Sequence, residues 1–195
     1  VLVEEELAAV GAILGRKYSE IKIIRHSLFN CDAFSCFMTT EGLRYTEAFA
    51  GSGEFAVVRI VTSVLEAPEK SLVLLDEPEV SLHPGAQDRL LDFLTTIVKK
   101  HKHQVVISTH SPAIVRKLPP EAIKVLAMDS LSGKVQLPRQ SSLADEAFFH
   151  LGEPIPGKIF VVVEDILAQA IVKRALSSEG EAVAALFDVQ YFPGG

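Results

Sequence analysis

Apolar positions recur at helical spacing in some stretches of this chain and run without interruption in others. The helical spacing predicts helices over residues 1–17, from Gly51 to Pro68, and over 85–100. Uninterrupted runs predict two strands, 72–76 and 105–108, which we expect to be buried. Strand, helix and strand in this order predict a parallel βαβ unit with a right-handed crossover. The same patterns predict further strands at 21–24, 33–39, 123–128, 135–137, 160–163 and from 189, and further helices at 147–151 and 166–176.

The residues from Gly152 to Lys158 interrupt this pattern with two prolines and two glycines in seven positions. Such a stretch is typical of a domain boundary. We therefore predict a first domain over 1–152, a linker over 153–158 and the start of a second domain over 159–195. The chain begins at Val1 and ends on two glycines directly after an apolar run, so we expect it to be cut at both ends.

The composition is that of a globular protein of 195 residues, with a net charge of −6 and a pI near 5.5. This charge does not favour nucleic acid as a partner of the whole surface, although it leaves room for a local basic groove. No apolar run approaches the roughly 18 residues of a membrane span, and no signal pattern opens the chain. We expect no membrane partner and a cytoplasmic location, and Cys31 and Cys36 are expected to be reduced core thiols.

The candidate chemistry lies where predicted strands end. Asp76 and Glu77 follow a strand directly, and parallel sheets bind ligands at the carboxyl ends of their strands. In a nucleotide hydrolase Asp76 would hold Mg²⁺, and Glu77 would orient or deprotonate the attacking water. His110 follows the next strand, where it could donate a hydrogen bond to a terminal phosphate. The glycine-rich turn Gly51-Ser52-Gly53-Glu54 opens a helix, which suits a phosphate.

Each of these segments alone also has a structural interpretation: a simple turn, a solvated strand end or a structural histidine. Together, and in this order, they are specific. LVLLDEPEVSLHP resembles the Walker B strand and D-loop of an ABC-type ATPase head, VVISTHSP resembles its histidine switch, and AGSGEFAVV resembles its signature motif. The expected fold is therefore the carboxyl-terminal half of an α/β P-loop NTPase head of the ABC type.

That resemblance implies roles for named residues. Asp76 would coordinate Mg²⁺, Glu77 would be the catalytic base and His110 would sense the γ-phosphate. Ser81 and His83 would belong to the D-loop. The signature residues would contact ATP bound to a second subunit, which implies a homodimer; they are Gly51, Ser52, Gly53 and Glu54. The sequence departs from the family pattern at two places. The signature serine usually precedes two glycines, whereas here Gly51 precedes Ser52. The D-loop has His83 where transporters have an aspartate, which favours relatives outside the transporters.

An ATPase of this type also needs a phosphate loop, GxxxxGK[ST]. The stretch Gly152 to Lys158 matches its first seven positions, but Ile159 replaces the hydroxyl residue and a strand is predicted where a helix should begin. We interpret this stretch as the linker and expect the true loop upstream. The 195 residues alone are not expected to hydrolyse ATP.

The segment KIFVVVEDILAQAIVKRAL resembles the first strand and helix of a Toprim domain. By this resemblance, residues 159–195 would form the first βαβ portion of such a domain. An ABC-type head followed by Toprim resembles the overcoming-lysogenisation-defect (OLD) family of nucleases. By this resemblance Glu164 would be a catalytic acid that binds Mg²⁺ or Mn²⁺, with Asp165 as a further ligand. Taken without the resemblance, the residues themselves slightly favour a pair of helix-capping acids. Asp165 stands where a glycine is usual, and Ala168 stands where a further acid is common.

The resulting hypothesis is an ATP-binding and ATP-hydrolysing ABC-type ATPase coupled to a metal-dependent Toprim endonuclease that acts on DNA. Anti-phage defence, with a second defence protein as partner, is the setting that the OLD resemblance suggests. One alternative is an SMC-like or DNA-repair ATPase without nuclease activity. Another is a nucleotide-gated interaction module that recruits a separate effector. A transporter ATPase ranks last because of His83 and the Toprim-like tail.

Overall fold

The computed structural model describes residues 1–27, 32–129, 133–137, 140–151 and 157–191. It forms two compact units, Val1–Ile114 and Val115–Gly195, which we describe separately. The predicted linker, 153–158, and the near match to a phosphate loop lie largely outside the described residues. Cys31 lies outside them as well. The domain bounds proposed from the sequence therefore stay a prediction.

The first unit contains a three-stranded antiparallel sheet and a two-stranded parallel sheet with helices packed against them. The predicted helices and strands of this unit are all present. The four-residue strand β3 and the short helix α4 were not predicted, because segments of four or five residues carry too little periodicity. The elements are α1 Glu4–Leu14, β1 Glu20–His26, β2 Ala33–Thr40, β3 Leu43–Thr46, α2 Ser52–Glu66, β4 Leu72–Asp76, α3 Pro84–His101, β5 Gln104–Ser108 and α4 Pro112–Arg116, of which the last two residues belong to the second unit.

Strands β4 and β5 are parallel, as predicted, and α3 connects them. Their register pairs Leu72 with Gln104 at one end and Asp76 with Ser108 at the other. The carboxyl ends of the two strands are therefore level. The residues that follow each strand, Glu77 and Thr109, leave the sheet side by side at one edge.

The core of this unit lies between the helices and one face of the strands. Val57, Val58 and Val61 on α2 are fully buried, and Leu90 and Leu94 on α3 are almost fully buried. Apolar side chains at this spacing form a continuous stripe along each helix. The spacing of apolar residues thus identified the buried faces of both helices correctly.

The expectation that β4 and β5 are buried was correct for one face only. Val73, Leu75 and Ile107 pack against the core. On the opposite face Leu72, Leu74 and Val106 are 59%, 70% and 56% exposed. Successive side chains of a strand point to opposite faces, and an uninterrupted apolar run does not tell which faces a second layer covers.

The second unit holds a short antiparallel hairpin, β6 with β7, and a parallel pair, β8 with β9. The strand, helix and strand order from 159 onward confirms the predicted βαβ arrangement, whereas α7 was not predicted. A small core joins Val115, Ile123, Ala147 and Phe148. The elements are a 3₁₀ helix Pro120–Ala122, β6 Ala127–Met128, β7 Val135–Gln136, α5 Ala144–Leu151, β8 Ile159–Val163, α6 Ile166–Ser178, α7 Glu181–Ala185 and β9 Phe187–Tyr191. Across both units, no helix in the described ranges has the length and apolarity of a membrane span.

Candidate nucleotide site

Ser108 joins the ends of the two parallel strands. Its hydroxyl group donates a hydrogen bond to Oδ1 of Asp76, the residue opposite it in the register. The backbone N–H of Glu77 donates to the carbonyl oxygen of Ser108 at 3.0 Å and to its hydroxyl oxygen at 3.1 Å. The first carboxylate and the backbone that carries the second are therefore held by a residue of the neighbouring strand.

Glu77 has an unusual backbone conformation, with φ at +42°. Residues other than glycine rarely adopt a positive φ, and such strain concentrates at functional sites. The conformation turns the chain sharply as β4 ends, so the Glu77 side chain does not continue the alternation of the strand. The two hydrogen bonds from its N–H group to Ser108 stabilise this turn.

Glu77 and His110 face each other across the strand ends. Nε2 of His110 lies 3.3 Å from Oε1 of Glu77, and both side chains are accessible, 78% and 44% exposed respectively. The carboxylate and the imidazole therefore lie within ion-pair distance of each other at an accessible edge of the sheet. The structure thus brings together three members of the constellation that the sequence predicted, Asp76, Glu77 and His110.

The turn after Glu77 contains an acid that the sequence analysis missed. Glu79 is buried, and its Oε1 accepts hydrogen bonds from the Thr109 hydroxyl at 2.5 Å and from the His110 N–H at 3.0 Å. The only signal in the sequence was its position two residues beyond Glu77. Burial, which gives this acid its interest, depends on the fold.

The predicted signature turn contacts the predicted D-loop. Gly53 is buried, and a Cβ atom there would lie 2.6 Å from the carbonyl oxygen of Ser81 and 2.9 Å from Cδ2 of Leu82. Only glycine fits this approach without a shift of backbone. Gly51, by contrast, has nothing within 4 Å of such a Cβ, and both it and Ser52 are exposed. The requirement for glycine is therefore specific to position 53.

Glu54 is held by side chains of its own unit. Its Oε1 accepts hydrogen bonds from Tyr18 at 2.6 Å, from Tyr45 at 2.9 Å and from Arg16 at 2.9 Å, and its Oε2 accepts the Gly51 N–H at 3.2 Å. Burial alone would raise the pKa of Glu54, but the two tyrosine hydroxyls, the Gly51 N–H and the charge of Arg16 together lower it. Burial, together with the neighbouring Glu54 carboxylate, raises the pKa of Tyr18.

The remaining D-loop residues have structural partners. Nδ1 of His83 accepts a hydrogen bond from the Gly85 N–H at 3.2 Å, so His83 is the N-cap of α3. Pro84 is the first residue of the helix, a position that proline favours. Ser81 has φ at +67°. A histidine and a serine with positive φ therefore shape the start of α3, and their assignment to a D-loop stays a prediction.

In the second unit, Glu164 and Asp165 follow β8 and are both exposed. Asp165 is the N-cap of α6, and its Oδ1 accepts the Ala168 N–H at 2.6 Å. This matches the capping interpretation of Asp165. Glu164 stands at the carboxyl end of a strand that is parallel to β9, a place where ligands bind in α/β sheets.

The donor set at the strand ends of the first unit fits Mg²⁺ bound together with a nucleotide. Sites of that kind use one or two carboxylates and complete the coordination with phosphate oxygens and water. Asp76 is exposed at the sheet edge and its neighbour Ser108 is a hydroxyl residue, so hard oxygen ligands are available. Within the described residues, no cluster of three or more histidine, cysteine or acidic side chains forms a cage for a metal by itself.

Comparison with known proteins bears on the same segments. Residues 39–116 match a family model described as "AAA domain, putative AbiEii toxin, Type IV TA system". The match includes the signature turn, Asp76, Glu77 and His110. The chain is also 38% identical over 69 residues to protein ea59 of Escherichia phage lambda, a match that covers 35% of this chain and 13% of that protein.

Solved structures with a similar fold include heads of SMC proteins. One, from a study of "ATP-driven dimerization and DNA stimulated activation of SMC ATPases", has a TM-score of 0.52 at 14% identity and covers 78% of this chain and 91% of that one. Another, the Smc head domain with a coiled coil and joint from Pyrococcus yayanosii, has a TM-score of 0.51 at 13% identity and covers 75% of this chain and 28% of that one. At this identity the likeness concerns the fold.

The chain therefore carries an α/β P-loop ATPase-like fold. Residues 39–116 are thus similar to an AAA-type ATPase domain, and the SMC heads share the fold of the chain. This is broader than the OLD family expected from the sequence. The matched family model ends at Arg116 and thus does not reach the segment that resembles Toprim.

Proposed function

We propose that the first unit is the part of an ATP-hydrolysing head that supplies the metal-binding acid, the catalytic base and the phosphate sensor. The observation that carries this proposal is the convergence of Asp76, Glu77 and His110 at the level ends of two parallel strands. The 3.3 Å distance between Glu77 and His110 and the strained turn at Glu77 support a hydrolytic site better than a solvated strand end.

Each residue has a separate role in this proposal. Asp76, oriented by the Ser108 hydroxyl, would hold Mg²⁺, and the ion would supply positive charge to neutralise the phosphates. Glu77 accepts a proton from the attacking water. His110 donates to the terminal phosphate while Glu77 lies within reach of its imidazole.

We further propose that two copies of the head close on ATP, as a homodimer. Gly51 and Ser52 are exposed at the start of α2, so the backbone of this turn is accessible to a phosphate on a partner. Gly53 and Glu54 face their own unit, so we assign them the positioning of that turn. One SMC neighbour is described by its ATP-driven dimerization and DNA-stimulated activation, which supports dimer closure and DNA as a partner here.

ATP turnover by the full-length protein tests this function. Asp76→Asn should lower the Mg²⁺-dependent release of phosphate by about 100-fold or more, since one carboxylate charge on the metal is lost. Glu69→Gln, which removes an exposed acid near the amino end of β4, is the matched control and should retain turnover. Equal turnover in the two variants would remove Asp76 from the site.

A second proposal concerns residues 159–191. We propose that they begin a Toprim-like nuclease unit, coupled to the head as in the OLD family, that cleaves DNA with Mg²⁺ or Mn²⁺ at Glu164. The supporting observation is the exposed Glu164 at the end of β8 in a parallel βαβ unit. In an anti-phage setting, a second defence protein would be a further partner.

A nicking assay on the full-length protein separates this proposal from the alternatives. Metal-dependent cleavage that is lost in Glu164→Ala supports the nuclease. ATP turnover with no cleavage of any DNA substrate supports an SMC-like or repair ATPase. Nucleotide binding without turnover or cleavage supports a nucleotide-gated interaction module.

A further inference from the structure

Glu79 is buried, and the proposed roles of Asp76, Glu77 and His110 do not use it. The residue lies in the turn between β4 and α3 and is 8% exposed. A buried carboxylate loses the hydration that stabilises its charge, so it persists only where hydrogen bonds replace water. The partners of Glu79 therefore indicate its purpose.

Both partners of Oε1 belong to the segment that carries the proposed phosphate sensor. Thr109 donates its hydroxyl hydrogen at 2.5 Å, and His110 donates its backbone N–H at 3.0 Å. The β4 and β5 ladder ends at the pair Asp76 and Ser108, one residue before this segment. The side chain of Glu79 therefore continues the connection between the two chain segments beyond the last pair of the ladder.

Gln87 provides a second connection between the same two segments. Its Oε1 accepts the Ser111 hydroxyl at 2.5 Å, and its Nε2 donates to the carbonyl oxygen of Leu82 at 2.9 Å. The segment 109–111 is thus tied to the turn 77–82 at both of its ends. Gly53 packs against the same turn at Ser81, so the turn lies between the signature glycine and the sensor segment.

We propose that Glu79 is a positioning residue that fixes the backbone of His110 so that its imidazole meets Glu77. The hydrogen bond from the His110 N–H to Glu79 fixes the backbone from which the His110 side chain extends. Nε2 of that side chain lies 3.3 Å from Oε1 of Glu77. Together with Gln87, Glu79 couples the turn 77–82 to the sensor, so a movement of the turn on dimer closure moves His110. This inference rests on the proposed ATP hydrolysis.

The two oxygens of Glu79 differ in their partners, so substitutions can remove the charge and the hydrogen bonds of this residue separately. Oε2 is buried and has no hydrogen-bond partner among the described residues. Glu79→Gln keeps the shape and an acceptor for His110 but removes the charge that strengthens both hydrogen bonds. Glu79→Ala removes both bonds, and Thr109→Val removes one of them while leaving the carboxylate in place.

The test compares these variants in the full-length protein with Glu69→Ala as the control. Glu79→Ala should lower kcat for ATP by about 10- to 100-fold with KM changed less than about 3-fold, because misplacement of a catalytic group by about 1 Å costs up to about 100-fold. Thr109→Val and Glu79→Gln should show smaller losses of the same kind. The amide of His110 should exchange its hydrogen about tenfold faster in Glu79→Ala.

The outcomes separate this inference from the function on which it rests. If the wild-type protein turns over ATP and the Glu79 variants match Glu69→Ala, the positioning role is wrong and the function stands. If the wild type lacks turnover, the proposed function fails. In that case hydrogen exchange still tests the hydrogen bond between the His110 N–H and Glu79. Unchanged exchange at His110 in Glu79→Ala overturns this bond, and faster exchange supports it. If Glu79→Ala does not fold, unchanged kcat and exchange in Glu79→Gln and Thr109→Val overturn the inference.

Discussion

Nε2 of His110 lies 3.3 Å from Oε1 of Glu77, although the two residues follow different strands. The contact exists because β4 and β5 are parallel and end level with each other at Asp76 and Ser108. Each strand therefore delivers the next residues to the same edge, where a turn with positive φ directs Glu77 toward the histidine. The relationship makes Glu77 the strongest candidate for the catalytic base.

We expect Glu77→Gln to abolish ATP turnover and to leave nucleotide binding intact. The amide is isosteric and neutral, so it cannot accept a proton from water, and the loss of a general base costs about 100- to 10,000-fold. Phosphate release and binding of a non-hydrolysable ATP analogue to the full-length protein measure the two properties. Glu66→Gln, at the exposed end of α2, is the control. Turnover at the wild-type rate in Glu77→Gln would refute its role as base.

We expect Gly53→Ala to destabilise the first unit by about 1–3 kcal/mol, because the added methyl group would meet the Ser81 carbonyl at 2.6 Å and force backbone to move. Gly51→Ala is the matched control two residues away. Its methyl group would meet nothing within 4 Å and its φ is −63°, so only the weaker N-cap preference of alanine, less than about 1 kcal/mol, opposes it. Urea unfolding of both variants measures the difference, and equal midpoints would contradict the close approach.

Glu54 predicts a pH dependence of stability. Its carboxyl group titrates near 4.5 when unfolded and lower when folded, so the stabilisation is fully present above 4.5 and is lost as the pH falls through the folded pKa. Glu54→Gln should therefore cost more free energy of unfolding at pH 7 than at pH 3. Tyr18→Phe removes a hydrogen bond that lowers the pKa of Glu54, so it should raise that pKa.

Urea unfolding at pH 7 and pH 3 checks the first expectation, and titration of the Glu54 carboxyl by NMR checks the second. Parallel stability curves for the wild type and Glu54→Gln would show that the network around Glu54 does not favour its charged form.

Asp165 and Glu164 should respond differently to the same substitution. Asp165→Ala removes the hydrogen bond to the Ala168 N–H and should lower stability by about 1 kcal/mol, whereas Asp165→Asn keeps a cap and should lower it less. Glu164→Ala should leave stability within about 0.5 kcal/mol and abolish metal-dependent nicking by the full-length protein.

Thermal melting and a plasmid nicking assay measure these two effects. Cleavage by Glu164→Ala at the wild-type rate would remove that acid from the proposed nuclease.

Much of the first unit was predictable because its signals are local. Helical spacing identified the buried faces of α2 and α3, and apolar runs identified β4 to the residue and β5 to within one residue. The parallel arrangement followed from the order of strand, helix and strand. The motif around Asp76 then indicated which edge of the sheet carries chemistry, and the match over residues 39–116 agrees with an ATPase domain.

Other features depend on contacts between segments that are distant in the sequence. Glu79 reads as one more acid in a polar turn, and only the fold buries it beside Thr109 and His110. The exposure of Leu72 and Leu74 was likewise unpredictable, because an apolar run does not tell which face another layer covers. Glu54 was predicted to face a nucleotide, yet four hydrogen bonds hold it within its own unit.

The sequence by itself indicated most of the elements, the parallel pairing and the candidate reactive residues, because backbone periodicity and side-chain chemistry are properties of short segments. The tertiary structure alone decided which acids are buried, which glycine is required and how closely Glu77 approaches His110. Those properties depend on the packing of β4, α3 and β5 against one another. A shift of about 1 Å between two polar atoms is enough to break a hydrogen bond.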